Sequence, residues 1–321
     1  MTPKQKYPRL TPLAAVFLAL LVLVVLVAGG NWAVYMDLLD IRRVSAPLPA
    51  MEAGRDATTD STTVVRVGVV SRFAPSIIYR LYQPIMDYCN AHSARRHQLS
   101  LSQSYSDAAQ RLRTGEDQAS FLGALMCSRL PRDSELEPTL IPLNKSGSTA
   151  FHVALIVKDN SPIGSLADLT HRRVALPSRK SFSGMWLQRA GLASAGLTVA
   201  DLDTLQHFKH HETVVWQVLR GNFDAGVVKE SLARRYRTRG LRVVALSPAI
   251  PGPPLVINRR FRDEATDELV RLLLALDPTD PADRRLMATW TQEFAYGFRA
   301  VDRAEFLDLF QDPLPAPEEE P

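Results

Sequence analysis

The residues best suited to chemistry lie at 178–184, where the sequence reads SRKSFSG. Apolar residues precede and follow this stretch, which predicts a strand, a polar loop and the start of a helix. The first turn of a helix offers N–H groups without intrahelical partners and about half a positive charge, so phosphate-like anions bind there. Ser181 and Ser183 add hydroxyl donors, and Gly184 would let a ligand approach the backbone. Arg179 and Lys180 would add positive potential. The same pattern fits a serine that only caps a helix, and the residues alone leave both interpretations open.

The elements that must position this loop alternate between strands and helices from residue 64 onward. The run VVRVGVV (64–70) predicts a buried strand, and residues 76–92 have apolar side chains at helical spacing, with Ser76 as the expected N-cap. Further helices are expected at 104–118, with Ser104 or Ser106 as N-cap and Gly115 as its end, and at 281–294. Repeated strand–helix units predict an α/β fold with largely parallel sheets. Ligands of such folds bind beyond the carboxyl ends of strands, which is where the loop at 178–184 is expected.

Residues 12–36 predict a membrane anchor. No charged side chain occurs in 12–28, and the apolar character continues to Met36. A bilayer core needs about 20 apolar residues in a helix, and this segment supplies them. Lysine and arginine before the segment predict a cytoplasmic N-terminus, so the bulk of the chain is expected in the periplasm, outside the bacterial inner membrane. A cleaved signal peptide that ends near Gly29 is the alternative.

The remaining chain divides into terminal segments and one folded region. Residues 1–11 are expected to form a cytoplasmic tail, and 37–63, which is rich in small and polar residues, a flexible linker. The folded region is expected at 64–310. The acidic, Pro-rich segment 311–321 is expected to be disordered.

Composition and motifs exclude several classes of function. The net charge is +4 and no dense run of Lys and Arg occurs, which argues against a nucleic-acid partner. Neither of the two cysteines lies in a metal-binding or CxxC pattern, and the cluster His207, His210 and His211 has no carboxylate or thiol that completes a convincing ligand set. Nucleophile elbows and Gly-rich phosphate fingerprints are missing from the sequence. The sequence therefore predicts neither an enzyme nor a cofactor.

Five segments, in this order along the chain, resemble the phosphate/phosphonate periplasmic binding proteins of ABC transporters, the PhnD-like family of the type II periplasmic binding fold. The first two segments each contain a strand, a loop and a helix, and the second of them ends in FLGAL. The third contains SLADL and SFSG. The fourth contains a later helix and strand, and the fifth matches the part of the family fold where the chain returns to its first lobe. The segments are 66–88, 104–125, 157–184, 210–228 and 247–258.

The resemblance implies a two-lobed α/β architecture behind the N-terminal transmembrane helix. Lobe 1 would comprise about 64–152 and 243–310, and lobe 2 about 153–242, joined by two crossover strands. An anion would be held in the cleft between the lobes, and a hinge motion would close the cleft around it.

The resemblance also implies ligand-binding positions, some of which depart from the family pattern. The family has Ser-Thr-Ser-Gly where this chain has SFSG, so Phe182 removes one hydroxyl donor. Tyr105, Glu212 and Glu230 match family positions, and so does His211, which would donate to the ligand or titrate near neutral pH. Two further positions depart from the pattern: Phe73 replaces a usual Tyr, and Cys127 stands in place of a Pro-containing loop. The expected ligand-binding residues are Phe73, Tyr105, Cys127, Ser181, Phe182, Ser183, Gly184, His211, Glu212 and Glu230.

The function expected from these features is that of a membrane-anchored extracytoplasmic solute-binding protein. Its ligand would be a small anion of the phosphate or phosphonate type, and its partner an ABC permease or another membrane protein. The alternative is a ligand-sensing or interaction module of the same fold, coupled to a membrane signalling or redox partner. An uncleaved anchor favours this alternative.

Overall fold

The computed structural model describes residues 64–131 and 133–310. The predicted cytoplasmic tail at 1–11, anchor at 12–36, linker at 37–63 and C-terminal tail at 311–321 lie outside the described residues. Within the described ranges, no helix combines the length and the apolar character that crossing a bilayer requires.

The strands are short, and most of them belong to two sheets. They are β1 (Val64–Val69), β2 (Arg96–Leu101), β3 (Ala119–Phe121), β4 (Leu136–Pro142), β5 (Ala150–Phe151), β6 (Val153–Lys158), β7 (Arg173–Leu176), β8 (Thr204–His207), β9 (Ala225–Lys229), β10 (Leu241–Leu246), β11 (Ile250–Pro251), β12 (Leu255–Asn258) and β13 (Phe298–Ala300).

Helices connect the strands and cover the sheets. They are α1 (Pro75–Ala91), α2 (Tyr105–Thr114), α3 (Ala124–Ser128), α4 (Phe182–Trp186), α5 (Leu192–Ser194), α6 (His211–Leu219), α7 (Glu230–Tyr236), α8 (Glu264–Leu274), α9 (Pro281–Met287) and α10 (Arg303–Phe310). A π-helical turn, Leu187–Gly191, joins α4 to α5.

Both sheets combine parallel and antiparallel strands. The first sheet has the order β13-β4-β12-β3-β1-β2, and the second has the order β10-β6-β9-β7-β8. In the first sheet β1 pairs in parallel with β2 and β3, whereas β12 runs antiparallel to β3. In the second sheet β7 pairs in parallel with β8 and β9, whereas β6 runs antiparallel to β9. The loops that lead into the helices follow the carboxyl ends of the parallel strands.

Two connections join the sheets within the described residues. The chain leaves the first sheet after β4 and comes back to it at β12. The short strands β5 and β11 lie on these two connections and pair antiparallel, with Ile250 opposite Phe151. The prediction of a two-lobed α/β fold is confirmed. The connection formed by β5 and β11 is the place where a hinge motion between the lobes would act.

An apolar cluster continues from one lobe into the other. Phe182, the first residue of α4, is buried and meets Phe310 of α10 edge-on, with the ring centroids 6.2 Å apart. The same cluster includes Val153 of the second sheet and Val256 of the first. Packing of apolar side chains thus contributes to holding the lobes together.

The helix caps expected from the sequence are confirmed for α2 and wrong for α1. Ser104 caps α2, because its hydroxyl accepts the N–H of Asp107 at 3.1 Å, and Gly115 ends that helix at a φ of 75°. The prediction that Ser76 caps α1 is wrong. That helix begins at Pro75 with Ala74 as N-cap, and a proline at the first helical position has no N–H that needs a cap.

Candidate functional site

A cavity of about 910 Å³ lies between the two lobes. Strand ends of both sheets contribute to its wall, as does the loop after α9. The cavity also reaches the connections that carry β5 and β11. The residues that line it and carry the argument below are Arg72, Tyr105, Ser181, Phe182, Ser183, His211, Lys229, Glu230 and Glu293.

The structure brings six of the ten expected ligand-binding residues to this cavity and leaves four away from its wall. The six that line it are Tyr105, Ser181, Phe182, Ser183, His211 and Glu230. The four that do not line it are Phe73, Cys127, Gly184 and Glu212.

The loop at 178–184 is a capped helix start that also faces the cavity. Ser181 is the N-cap of α4: its Oγ accepts the N–H of Gly184 at 3.1 Å and donates to the carbonyl of Ser178 at 2.8 Å. The hydroxyl of Ser181 is therefore engaged within its own loop. Ser183 is buried and lines the cavity one residue into the helix.

Gly184 is explained by its own loop and not by a ligand. A Cβ at this position would lie 2.0 Å from the carbonyl oxygen of Ser178. Only glycine permits so close an approach of the two backbone segments. This approach accounts for the glycine without a ligand, and the expectation that Gly184 opens the backbone to a ligand stays a prediction.

The basic residues of the loop do not lie on the main cavity. Arg179 and Lys180 line a separate pocket of about 340 Å³, together with Lys209. Lys180 Nζ donates to the hydroxyl of Ser106 in the other lobe. The positive charge expected from these two residues therefore acts at the neighbouring pocket.

A buried cluster of three charged side chains forms part of the cavity wall. Arg72 follows β1 and is only 2% exposed, and its Nη2 lies 2.8 Å from Oε2 of Glu293, which is 3% exposed. Lys229, the last residue of β9, donates from Nζ to the other carboxylate oxygen, Oε1. Arg72 also donates to the hydroxyl of Tyr82. Two cations therefore share one carboxylate.

The cluster shifts the pKa values of its members. Burial alone would raise the pKa of Glu293, but the attraction of Arg72 and Lys229 is stronger and lowers it to about 2. Burial and repulsion by Arg72 lower the pKa of Lys229 to about 8, although Glu293 opposes this shift. Lys229 and Glu293 are thus both charged at neutral pH.

His211 stands at the start of α6 and contacts the same cluster. Its backbone N–H donates to the carbonyl of Arg72 at 3.2 Å, and its ring lies 6.0 Å from the ring of Phe73, centroid to centroid. Burial and the neighbouring charges of Lys229 and Arg72 lower its pKa to about 3. His211 is therefore neutral at physiological pH, and the expectation that it titrates near neutrality is wrong. Its Nδ1 has no hydrogen-bond partner among the described residues.

Tyr105 can act as a neutral donor in the cavity. The side chain begins α2 and is 5% exposed. Burial raises the pKa of Tyr105 to about 12, so the hydroxyl keeps its proton at physiological pH. A phenol in this state donates a hydrogen bond to an anion without adding charge.

Three of the four residues away from the cavity wall have other surroundings. Glu212 is buried, and its carboxylate oxygens have no hydrogen-bond partner among the described residues. Burial raises the pKa of Glu212 to about 7. Cys127 is buried in the apolar cluster, and burial raises the pKa of its thiol. Phe73 packs beneath the guanidinium of Arg72, 5.5 Å from its ring centroid, and beside His211. The expectation that Cys127 contacts a ligand is corrected because its side chain lies in the core.

Residue types alone did not reveal Arg72, Lys229 and Glu293 as a cluster. Lys229 is the last residue of β9, and Arg72 lies shortly after the end of β1. Ligand contacts are expected near such strand ends in α/β folds. Glu293 lies in a segment that the sequence predicts as helix, but α9 ends at Met287. In the described ranges, no group of three His, Cys, Asp or Glu side chains comes together that could hold a metal ion.

A family model described as "ABC transporter, phosphonate, periplasmic substrate-binding protein" matches residues 67–306. A binding protein component of an ABC phosphonate transporter from Pseudomonas aeruginosa superposes with a TM-score of 0.66 at 18% identity, covering 77% of this chain and 84% of that chain. PhnD1 from Prochlorococcus marinus, in complex with methylphosphonate, has a TM-score of 0.63 at 17% identity, covering 76% and 95%. A Xanthomonas citri protein bound to ATP has a TM-score of 0.57 at 19% identity, covering 77% and 95%. At these identities the likeness shows a shared fold.

Proposed function

Because the chain belongs to the family of periplasmic substrate-binding proteins of phosphonate ABC transporters, we propose that it binds a small phosphonate- or phosphate-like anion in the 910 Å³ cavity and delivers it to an ABC permease. Proteins of this family are substrate-binding components of transporters. The residues expected from the sequence to contact the ligand are proposed as contacts only where they line the cavity.

The observation that carries the proposal is the convergence of donors on the cavity from both lobes. Arg72 and Tyr105 come from the first lobe, and Ser183, His211 and Lys229 from the second. Cationic and neutral donors that line one cavity suit the oxygens of a tetrahedral oxyanion. Charge-assisted hydrogen bonds to such oxygens are about twice as strong as neutral ones. Ligand contacts made from both lobes would favour the closed cleft.

We also propose that residues 12–36 anchor the protein in the bacterial inner membrane, with the binding domain in the periplasm. The length and apolar composition of the segment support this, together with the cations that precede it. Protease treatment of spheroplasts that carry the full-length protein tests the orientation. The proposal expects loss of the binding domain while a short N-terminal fragment stays with the membrane.

A thermal-shift screen of the full-length protein in detergent tests ligand binding. The panel consists of methylphosphonate, 2-aminoethylphosphonate, phosphite and phosphate, with chloride at equal ionic strength as the control. A ligand at 100 times its Kd stabilises the folded state by about 2.7 kcal/mol, which raises the melting temperature. If no oxyanion of the panel raises the melting temperature above the chloride control, the proposed ligand class is wrong.

Delivery to a permease needs a separate test, because a sensor with the same cavity would also bind the ligand. Uptake of the radiolabelled ligand is compared in cells with and without the gene for this chain. Loss of uptake at low ligand concentration supports transport. Unchanged uptake favours the sensing or interaction role.

A further inference from the structure

We propose that the shared carboxylate of Glu293 sets the charge of the ligand: the cavity takes singly charged anions in preference to doubly charged ones of the same class. This inference rests on the proposed function, since it requires that the cavity binds an anion. It assigns a specificity-determining role to Glu293, a residue that adds negative charge to an anion site.

The first step is the sum of charges on the buried wall. Arg72 and Lys229 each contribute one positive charge, and Glu293 contributes one negative charge. Arg72 and Glu293 are almost fully buried, so water does little to screen them. The three side chains together present one net positive charge to the cavity.

Two titratable side chains, His152 in the cavity lining and Glu212 outside it, are the same in every protein compared below, so they do not affect differences between variants. The remaining charged groups near the cavity are paired, exposed or neutral. Glu230 forms an ion pair with Arg234, with 2.6 Å between Oε1 and Nη2, so that pair is neutral. Lys145 is exposed, and its charge is screened by solvent. His211 is neutral at physiological pH because burial keeps its pKa near 3. Glu212 is buried and does not line the cavity.

One net positive charge is balanced by a ligand with one negative charge. A second negative charge would have no counter-charge in this cluster and would also be repelled by the carboxylate of Glu293, which is almost fully buried. Burying an uncompensated charge is costly in free energy. A monoanion such as a phosphonate monoester or a protonated phosphonate therefore fits the wall better than a dianion.

Two probes of fixed charge test this at pH 7. The monomethyl ester of methylphosphonate carries one negative charge. Trifluoromethylphosphonate carries two, because its fluorines make the second proton far more acidic. Calorimetry of the full-length protein in detergent gives the affinity ratio of the two probes. The ratio is compared between wild type and variants, so differences in probe shape cancel.

Three variants change the charge sum in a defined way. Glu293→Gln raises the sum by one, Lys229→Gln lowers it by one, and the double variant restores it. Wild type is expected to prefer the monoanion. Glu293→Gln should shift the affinity ratio toward the dianion by at least about tenfold, and the double variant should return within about threefold of wild type. Lys229→Gln alone should weaken the binding of both anions.

Each outcome has a defined consequence. If wild type binds both probes but prefers the dianion, or if the ratio in Glu293→Gln is unchanged, the inference is wrong. If the double variant keeps the ratio of Glu293→Gln, the carboxylate acts through structure and not through charge balance, which also overturns it. If Glu293→Gln does not fold, three other results still test the inference. They are the preference of wild type for the monoanion, the same preference in the double variant, and the weaker binding of both anions by Lys229→Gln. If wild type binds neither probe nor any anion of the thermal-shift panel, the proposed function itself fails and the inference falls with it.

Discussion

Lys229 and Glu293 belong to opposite lobes, and Lys229 Nζ donates a hydrogen bond to Oε1 of Glu293. The lysine ends β9 in the second sheet, and the glutamate precedes β13 of the first sheet. The other oxygen of the same carboxylate lies 2.8 Å from Nη2 of Arg72. A contact that joins the lobes is therefore also part of the wall of the candidate site, so ligand binding and the relative position of the lobes depend on the same side chains.

Of the substitutions in this cluster, removing the negative charge of Glu293 should lower the free energy of unfolding the most. Glu293→Gln leaves Arg72 and Lys229 buried side by side without a counter-charge, and we expect the free energy of unfolding to fall by about 3 kcal/mol. Adding Lys229→Gln removes one of the two cations and should recover part of that loss. Urea unfolding of both single variants and the double variant at pH 7 measures the coupling. Strictly additive losses would contradict a shared ion cluster.

The two serines of the SFSG segment should separate stability from binding. Ser181→Ala removes the N-cap of α4 and should lower the free energy of unfolding by about 1 kcal/mol. Ser183→Ala removes a hydroxyl that lines the cavity and should weaken methylphosphonate binding by about tenfold with little loss of stability. Urea unfolding and calorimetry on both variants check this. Unchanged affinity in Ser183→Ala would place the anion elsewhere.

Gly184 should tolerate no side chain. A Cβ there meets the carbonyl oxygen of Ser178 at 2.0 Å, so Gly184→Ala should destabilise the fold by about 3 kcal/mol. Gly164→Ala is the matched control, because the nearest atom to its Cβ, Oδ2 of Asp168, is 3.7 Å away. Urea midpoints of the two variants are compared. Equal midpoints would show that the loop at 178–184 adjusts without cost.

Glu212 should make the protein less stable as the pH rises. Its pKa is about 7 in the folded state against 4.5 for an unperturbed glutamate, so the folded state holds the proton more tightly. The free energy of unfolding therefore falls as the pH rises from about 4.5 to 7 and then stays level with respect to this group. Glu212→Gln removes that fall and should gain about 2 kcal/mol over wild type between pH 5 and pH 8.

Urea unfolding of Glu212→Gln at pH 5, 6, 7 and 8 gives this difference, and exposed Glu305→Gln is the control. A constant difference between wild type and Glu212→Gln at all four pH values would mean that the carboxylate titrates normally in the folded protein. In that case burial does not govern the pKa of this group.

Local patterns were sufficient for the fold class and for part of the site. Of the two serines expected as N-cap of α2, Ser104 is the cap, and the prediction that Gly115 ends this helix is confirmed. Both ends could be expected because capping depends on a few neighbouring residues. Tyr105 and Ser183 line the cavity because each stands just beyond a strand end, which is where α/β folds bind ligands. Neither inference needed knowledge of how the lobes pack.

The charged cluster needed knowledge of that packing. Lys229 and Glu293 lie 64 positions apart and meet only because the lobes face each other. The same limit applies to Cys127 and Glu212, whose sequence positions are close to strand or helix starts but which do not line the cavity. For Gly184, the sequence shows that a glycine is present but not which backbone atom approaches it.

The central claim is that the cavity between the lobes binds a phosphonate-like anion through Arg72, Lys229 and the hydroxyls beside them. Calorimetric titration of the full-length protein with methylphosphonate at pH 7, in wild type and in Lys229→Gln, tests it most directly. We predict saturable binding of one anion per chain in wild type and at least about tenfold weaker binding in Lys229→Gln. Equal binding by both proteins, or no binding by wild type, would contradict the claim.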